Sequence, residues 1–262
     1  MRYKQLIFSF ALILSLVKSA AADDAEKYYT LAQTYSTQHN FEKSLAEAQE
    51  AVRLDPKNVT YLFYLGGQNC AAGKPRESLD AYKKSVEFSK SPLVMWSGKR
   101  EAAFWVMQME AFNKLIGNPG NQSSQKNDRF TGSWVEKLSG IGEITSPAHS
   151  KEELVKMRAE AQSMIGNELD TLHIQQFGSL ARAMDLQQEY TGCTYDRWIV
   201  LGNRQEGNEK GCKFERSFII TAQLMNENTL EGKIAMIGTA DHSQACRPAI
   251  GTTETLFTAK KK

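Results

Sequence analysis

The chain reads as an α+β protein, with an amino-terminal all-α solenoid of helical hairpins followed by a domain combining a long helix and an antiparallel β-sheet. Three observations carry this expectation. Residues recur at a spacing of 34 over the first third, residues 117–127 contain no apolar side chain to bury, and beyond Thr194 the hydrophobic period becomes two. A period near 3.6 belongs to helices and a period of two to half-buried strands. With 262 residues, 41% hydrophobic and 24% charged, the chain has the composition of an ordinary globular protein of one or two domains. The formal charge of +2 supplies no domain-wide cation excess for displacing phosphate counterions, so a nucleic-acid partner is not expected.

The first element is an address. Arg2 and Lys4 precede the apolar run Leu6–Val17, and Ala20, Ala21 and Ala22 supply a small-residue cleavage site before Asp23. This is the layout of a secretory signal peptide, expected over residues 1–22 with cleavage near Ala22. The run is too short for a good membrane anchor, which needs about 20 apolar residues. Removing Arg2, Lys4 and Lys18 leaves 29 basic against 30 acidic side chains, a charge near −1. Export to a bacterial periplasm or beyond is therefore expected, with no stable membrane span after cleavage.

In the helical region Leu31 recurs as Leu65, Ala32 as Gly66, Ser44 as Ser78, Leu45 as Leu79, Ala48 as Tyr82 and Ala51 as Ser85. Small residues belong where two helices cross closely, and larger ones between neighbouring hairpins. The first copy carries Tyr28, Leu31, Ala32, Tyr35, Phe41, Ala48, Ala51 and Pro56, and in this pattern it resembles the tetratricopeptide repeat. The helical domain is placed at 23–116, with repeats at 25–58 and 59–92. Turns are expected at His39-Asn40 and across Ala72 to Pro75, and Asp55-Pro56 closes the first copy because proline cannot continue a helix. Two such units need a cover. The segment 93–116 supplies one, with Trp96, Phe104, Met107 and Leu115 on one stripe and Trp105, Met109, Phe112 and Ile116 on another.

The resemblance implies a protein or peptide partner on the concave face lined by first helices. The corresponding positions here are Tyr29, Gln33 and Ser36 in copy one and Phe63, Gly67 and Cys70 in copy two. Family members that clamp a terminal carboxylate carry Lys and Asn where this chain has Tyr29 and Gln33, so an apolar peptide segment suits the groove better. Packing of Tyr29 and Phe63 against later parts of the chain is an equal alternative.

The linker is expected at 117–129 and the second domain at 130–259. Phe130–Leu138 reads as a strand. Ser150 and Glu153 form a capping box, opening a helix that is expected to run to about Tyr190, with Gly166 and Gly178 as possible breaks. Strands follow at Arg197–Gly202, Phe214–Leu224, Leu230–Met236 and Thr253–Thr258, giving a mostly antiparallel, strongly twisted sheet with the long helix on one face. The turn Asn226-Glu227-Asn228 places positions summing to about 454 opposite each other. By that register Cys212 lies near Cys246 and pairs with it. Cys193 with Cys212 is the second possibility, and Cys70 reads as a small buried thiol.

Gly132-Ser133-Trp134 looks like the opening Gly-x-Trp of lipocalins, which would imply a barrel binding a small ligand. Roughly 50 residues without a convincing strand depart from a barrel that runs unbroken, and Trp134 and Trp198 read as core plugs. Catalysis needs converging acid, base, nucleophile or metal groups. His39, His149, His173 and His242 are scattered, and Asp241, His242 and Cys246 suit a turn and a disulfide better than a metal. The expected protein is thus an exported, non-enzymatic interaction module without metal or cofactor. Its alternatives are a ligand-binding β-domain with a helical adaptor, or an enzyme of the cell envelope.

Overall fold

The computed structural model describes residues 22–91, 97–117, 128–147, 149–185, 188–209, 212–240 and 251–262. The expected leader before Ala22, most of the linker, and Asp241, His242 and Cys246 lie outside these residues. The chain divides into two compact units, Met1–Val106 and Met107–Lys262, and the division falls inside one helix.

The first unit is built from α1 (22–37), α2 (Phe41–Leu54), α3 (Val59–Ala71), α4 (Pro75–Phe88) and the first half of α5 (Lys99–Ile116). Its 34-residue period is visible atom by atom. Ser44 Oγ donates to Ala32 O at 2.7 Å, and 34 residues later Ser78 Oγ donates to Gly66 O at 2.8 Å. Both serines are fully buried, so each bond satisfies a hydroxyl that would otherwise be stranded at a helix crossing. The two turns also correspond, since His39 (φ 56°) and Gly73 (φ 71°) both take the left-handed conformation that follows a helix end. Between the repeats Asn58 caps α3, its Oδ1 accepting from Thr60 N and Tyr61 N, while its Nδ2 donates to Asp55 Oδ2. Pro75 sits at the start of α4, where its missing amide costs no helical bond.

The copies differ where one position exchanges bulk for space. Copy one has Ala32 with Ala48, whereas copy two has Gly66 with Tyr82. A Cβ on Gly66 would lie 2.6 Å from the Tyr82 ring, so the larger side chain is admitted only because the facing residue has none. Tyr82 is buried and stacks on Trp105 of α5, with centroids 5.5 Å apart and planes 21° apart. Burial drives its phenol well above the ordinary range. The aromatic lid expected over the second repeat is therefore carried by Trp105, whose indole donates to Glu101 Oε1.

The second unit comprises the rest of α5, eight strands and α6 (Lys151–Ser163). The strands are β1 (Gly132–Thr145), β2 (Glu168–Phe177), β3 (Leu180–Met184), β4 (Glu189–Tyr195), β5 (Trp198–Glu209), β6 (Cys212–Asn226), β7 (Thr229–Ala240) and β8 (Gly251–Lys261). Each pairs antiparallel with the next and β8 pairs with β1, closing an eight-stranded barrel. Within this unit Gln108 and Met109 of α5 are fully buried, and Gln108 Nε2 donates to Thr191 O at 2.8 Å.

Closure corrects two expectations. The sheet is antiparallel as expected, but it closes on itself and no long helix covers one of its faces. The capping box of Ser150 and Glu153 is present, but α6 ends at Ser163, buries no residue, and forms an insertion between β1 and β2 rather than a cover. Residues 168–195, expected mostly as helix, form β2, β3 and β4. Gly166 (φ 92°) and Gly178 (φ 62°) mark the end of the helix and the β2–β3 turn. The β6–β7 hairpin has the predicted register, pairing Phe214 with Ala240 and Leu224 with Leu230.

Alternation separates the two faces of each strand. Trp134, Leu172, Ile174, Ala181, Leu201, Ile220, Leu230 and Phe257 form the inward core. Trp134 plugs one end of the barrel, donating its indole N–H to Phe130 O at 2.8 Å beneath Lys261 Nζ, which lies 5.4 Å from the ring centroid. Gln176 secures the same end, accepting from Phe130 N and donating to Gly178 O and Thr194 Oγ1. Cys70, Cys193 and Cys212 are each disulfide-bonded, and no described cysteine is free. Cys70, expected as a thiol, is corrected accordingly.

Candidate functional site

Two surfaces come into question, one on the helical repeats and one inside the barrel. On α1 the residues Tyr29, Gln33 and Ser36 fall on one helical face, four and three positions apart. Gln33 is exposed, whereas Tyr29 and Ser36 are half-buried. Tyr29 lies 5.0 Å from the Tyr61 ring and 5.2 Å edge-on from Tyr64. Its phenol is pushed up by burial first, then by Tyr64 and Glu26, against a hydrogen bond from Gln33. Tyr61 donates its hydroxyl to Glu26 Oε2 at 2.7 Å, and burial with that bond also raises its phenol. Tyr29 thus packs within the repeats while keeping part of its ring accessible.

The second-copy positions are more enclosed. Phe63 is half-buried against Tyr82, with centroids 5.4 Å apart. A side chain on Gly67 would meet the Tyr82 hydroxyl at 3.6 Å. Cys70 is 1% exposed and its sulfur is held in a disulfide. Gln68, not singled out by the sequence reading, bonds Ser36 Oγ through its amide at 3.4 Å. The accessible part of the surface is accordingly an aromatic and amide strip of Tyr29, Gln33 and Tyr64, with hydrogen-bonding capacity beside apolar ring faces.

The barrel brings together residues that sequence reading missed. On β1, Trp134, Glu136 and Leu138 share one phase and are all buried. Glu136 pairs with Ala259 on β8 and sits where the β1–β2 register shifts, a bulge of the kind that re-aims a side chain. It is 5% exposed, and its Oε1 has no hydrogen-bond partner. Burial, with Asp170 and Asp185 adding to it, pushes its carboxyl up to about 7. Asp170 shares the inward phase of Leu172 on β2, and Asp185 follows the inward Ala183 on β3. Tyr190, inward on β4, donates its hydroxyl toward Asp185 Oδ2 and Gln188 Oε1, both at 3.0 Å. The signal for Glu136 was present in the sequence as an acidic residue inside an apolar alternation.

Among the described residues no group of three His, Cys, Asp or Glu side chains has metal-binding geometry. None of the described helices is long and apolar enough to cross a membrane.

No curated protein matches the chain. Residues 25–58 match the family model of the tetratricopeptide repeat. With that match, and with the serine bonds recurring 34 residues apart, the chain is a tetratricopeptide-repeat-containing protein.

Proposed function

We propose that this protein is an exported, non-enzymatic interaction module whose helical repeats bind a peptide or protein segment on the α1–α3 face. The observation that carries the reading is the half-exposed aromatic strip of Tyr29 and Tyr64 beside the exposed Gln33. Rigid aromatic rings offer contact area at little entropic cost, and a neighbouring amide fixes the register of an extended chain. Lys and Asn are absent from the carboxylate-clamp positions, which favours an internal apolar segment over a chain terminus. Tetratricopeptide repeats generally mediate protein binding, and this generality supports the coarse assignment.

Export rests on the amino-terminal leader and is supported by the disulfide-bonded Cys70, Cys193 and Cys212, since disulfides persist in oxidising compartments. The test is affinity capture from the producing cells with the full mature chain, comparing wild type with a Tyr29→Ala, Gln33→Ala variant. The expected result is a specific partner lost by at least tenfold in the variant while far-ultraviolet circular dichroism is unchanged. Equal recovery by both would refute the face. Amino-terminal sequencing of the mature protein is expected to begin at Asp23.

A further inference from the structure

The barrel interior is filled at one end and accessible at the other. Around Trp134 the inward side chains are buried. Toward the opposite end the inward Phe218, Ile234, Met236 and Thr255 are only partly buried. In a closed barrel, inward side chains that keep accessible surface mark space reachable by solvent-sized molecules. Their neighbours below, Leu201 and Ile220, are fully buried, so the accessible space has an apolar floor.

Two acceptors without donors belong to inward positions of the same barrel. Glu136 Oε1 and Asn203 Oδ1 are buried and unpartnered, and Asn203 is inward because it pairs with Phe218 on β6. An unpartnered buried acceptor costs free energy that a bound donor would recover. The groups acting electrostatically on Glu136 come from three strands or their ends and are all acidic or neutral. They are Asp170 on β2, Asp185 after β3 and the Tyr190 phenol on β4, while the facing residue on β8 is Ala259. A neutral donor would satisfy one oxygen only. A cation would satisfy it and also offset the accumulated negative charge, as buried charges require.

We propose that the barrel lumen binds a small organic cation, an amine carried on an apolar body, with Glu136 as the group that receives its N–H. The apolar body lies against Phe218, Ile234 and Met236, and the amine meets Glu136 beside Asp170 and Asp185. This site is separate from the helical face assigned above and does not depend on that reading.

The test is a fluorescence titration of the full mature chain with dansylcadaverine, a fluorophore joined to a primary amine. A neutral dansyl alkylamide of the same length is the control. At pH 8 the amine is expected to bind at least tenfold more tightly than the neutral probe. Affinity for the amine is expected to fall as pH drops from 8 to 6, because Glu136 takes up a proton in that range, while affinity for the neutral probe stays level. Glu136→Gln is expected to abolish the tenfold preference, and Met236→Trp, which fills the lumen, to remove binding of both probes.

Equal affinity for the two probes, preference retained in Glu136→Gln, binding retained in Met236→Trp, or no saturable binding would each overturn the proposal. Should either variant fail to fold, the comparison of the two probes on the wild-type chain decides alone.

Discussion

The two units of this protein are specified in different ways. In the helical unit the contacts that define the two copies recur at a fixed interval. Ser44 meets Ala32 and Ser78 meets Gly66 across the same 12 residues, and the turns at His39 and Gly73 share one conformation. In the barrel the decisive contact joins β1 to β8, pairing Trp134 with Lys261 and Glu136 with Ala259. No local pattern announces a contact between the two ends of a domain, and its loop-closure cost is repaid only when all eight strands are in place. Repetition therefore makes a structure readable from its sequence, whereas closure makes it depend on the whole.

If this contrast holds, the barrel should respond to a single core change as one cooperative unit. Trp134→Ala removes a fully buried plug together with its bond to Phe130 O. A loss of about 3–5 kcal/mol is expected, with the near-ultraviolet signal of the barrel disappearing in one transition during urea unfolding. Separate loss of β1–β4 and β5–β8 signals would instead describe a sheet that does not need its closure.

A second effect belongs to the same unit. The Glu136 carboxyl is raised to about 7 in the folded chain, against about 4.3 when unfolded. The folded state therefore binds the proton more tightly. Its stability contribution is fully present below the unfolded value and is lost as pH rises through about 7. The loss between pH 4 and pH 8 is of the order of 3 kcal/mol. Denaturation midpoints followed across that range should show this slope in the wild type and a flatter one in Glu136→Gln.

The helical unit offers the complementary tests. Gly66→Ala places a methyl 2.6 Å from the Tyr82 ring and is expected to cost about 1–3 kcal/mol by overpacking. Pairing it with Tyr82→Ala restores the Ala32 and Ala48 arrangement of copy one and should recover part of that loss at the crossing, although it removes the stack on Trp105. A double-mutant cycle measured by thermal unfolding would show the coupling, and strict additivity would contradict the exchange of bulk for space. The smallest effect is at His39, a non-glycine residue at φ 56°. His39→Gly is expected to stabilise the unit by about 0.5–1 kcal/mol, since a left-handed position favours glycine. A lower melting temperature would show that the His39 and Phe41 rings, 5.9 Å apart, outweigh the strain.

The strands that escaped sequence reading show why the barrel is harder to read. In β2 the inward series is Asp170, Leu172, Ile174 and Gln176, where two of four members are polar. Gln176 is tolerated because Phe130 N, Gly178 O and Thr194 Oγ1 all reach it, and Phe130 and Thr194 come from distant parts of the chain. In β3 the inward residues are Ala181 and Ala183, good helix formers whose intrinsic preference is overridden by pairing on both sides. By contrast the β6–β7 hairpin was readable to the residue pair, because its turn and its alternation agree. Glu136 stood in plain phase between Trp134 and Leu138, yet its isolation from any donor became visible only when the facing strands were known.

Taken alone, the sequence determined the 34-residue helical repeat, its turns, the capping box at Ser150 and the hairpin register around Asn226, because each rests on residues near one another in the chain. The tertiary structure decided the closure of the sheet, the conversion of residues 168–195 from helix to strand, the disulfide-bonded state of Cys70 and the burial of Glu136 without a partner. Those outcomes depend on partners distant in sequence, and a barrel gives no residue its environment until the last strand meets the first.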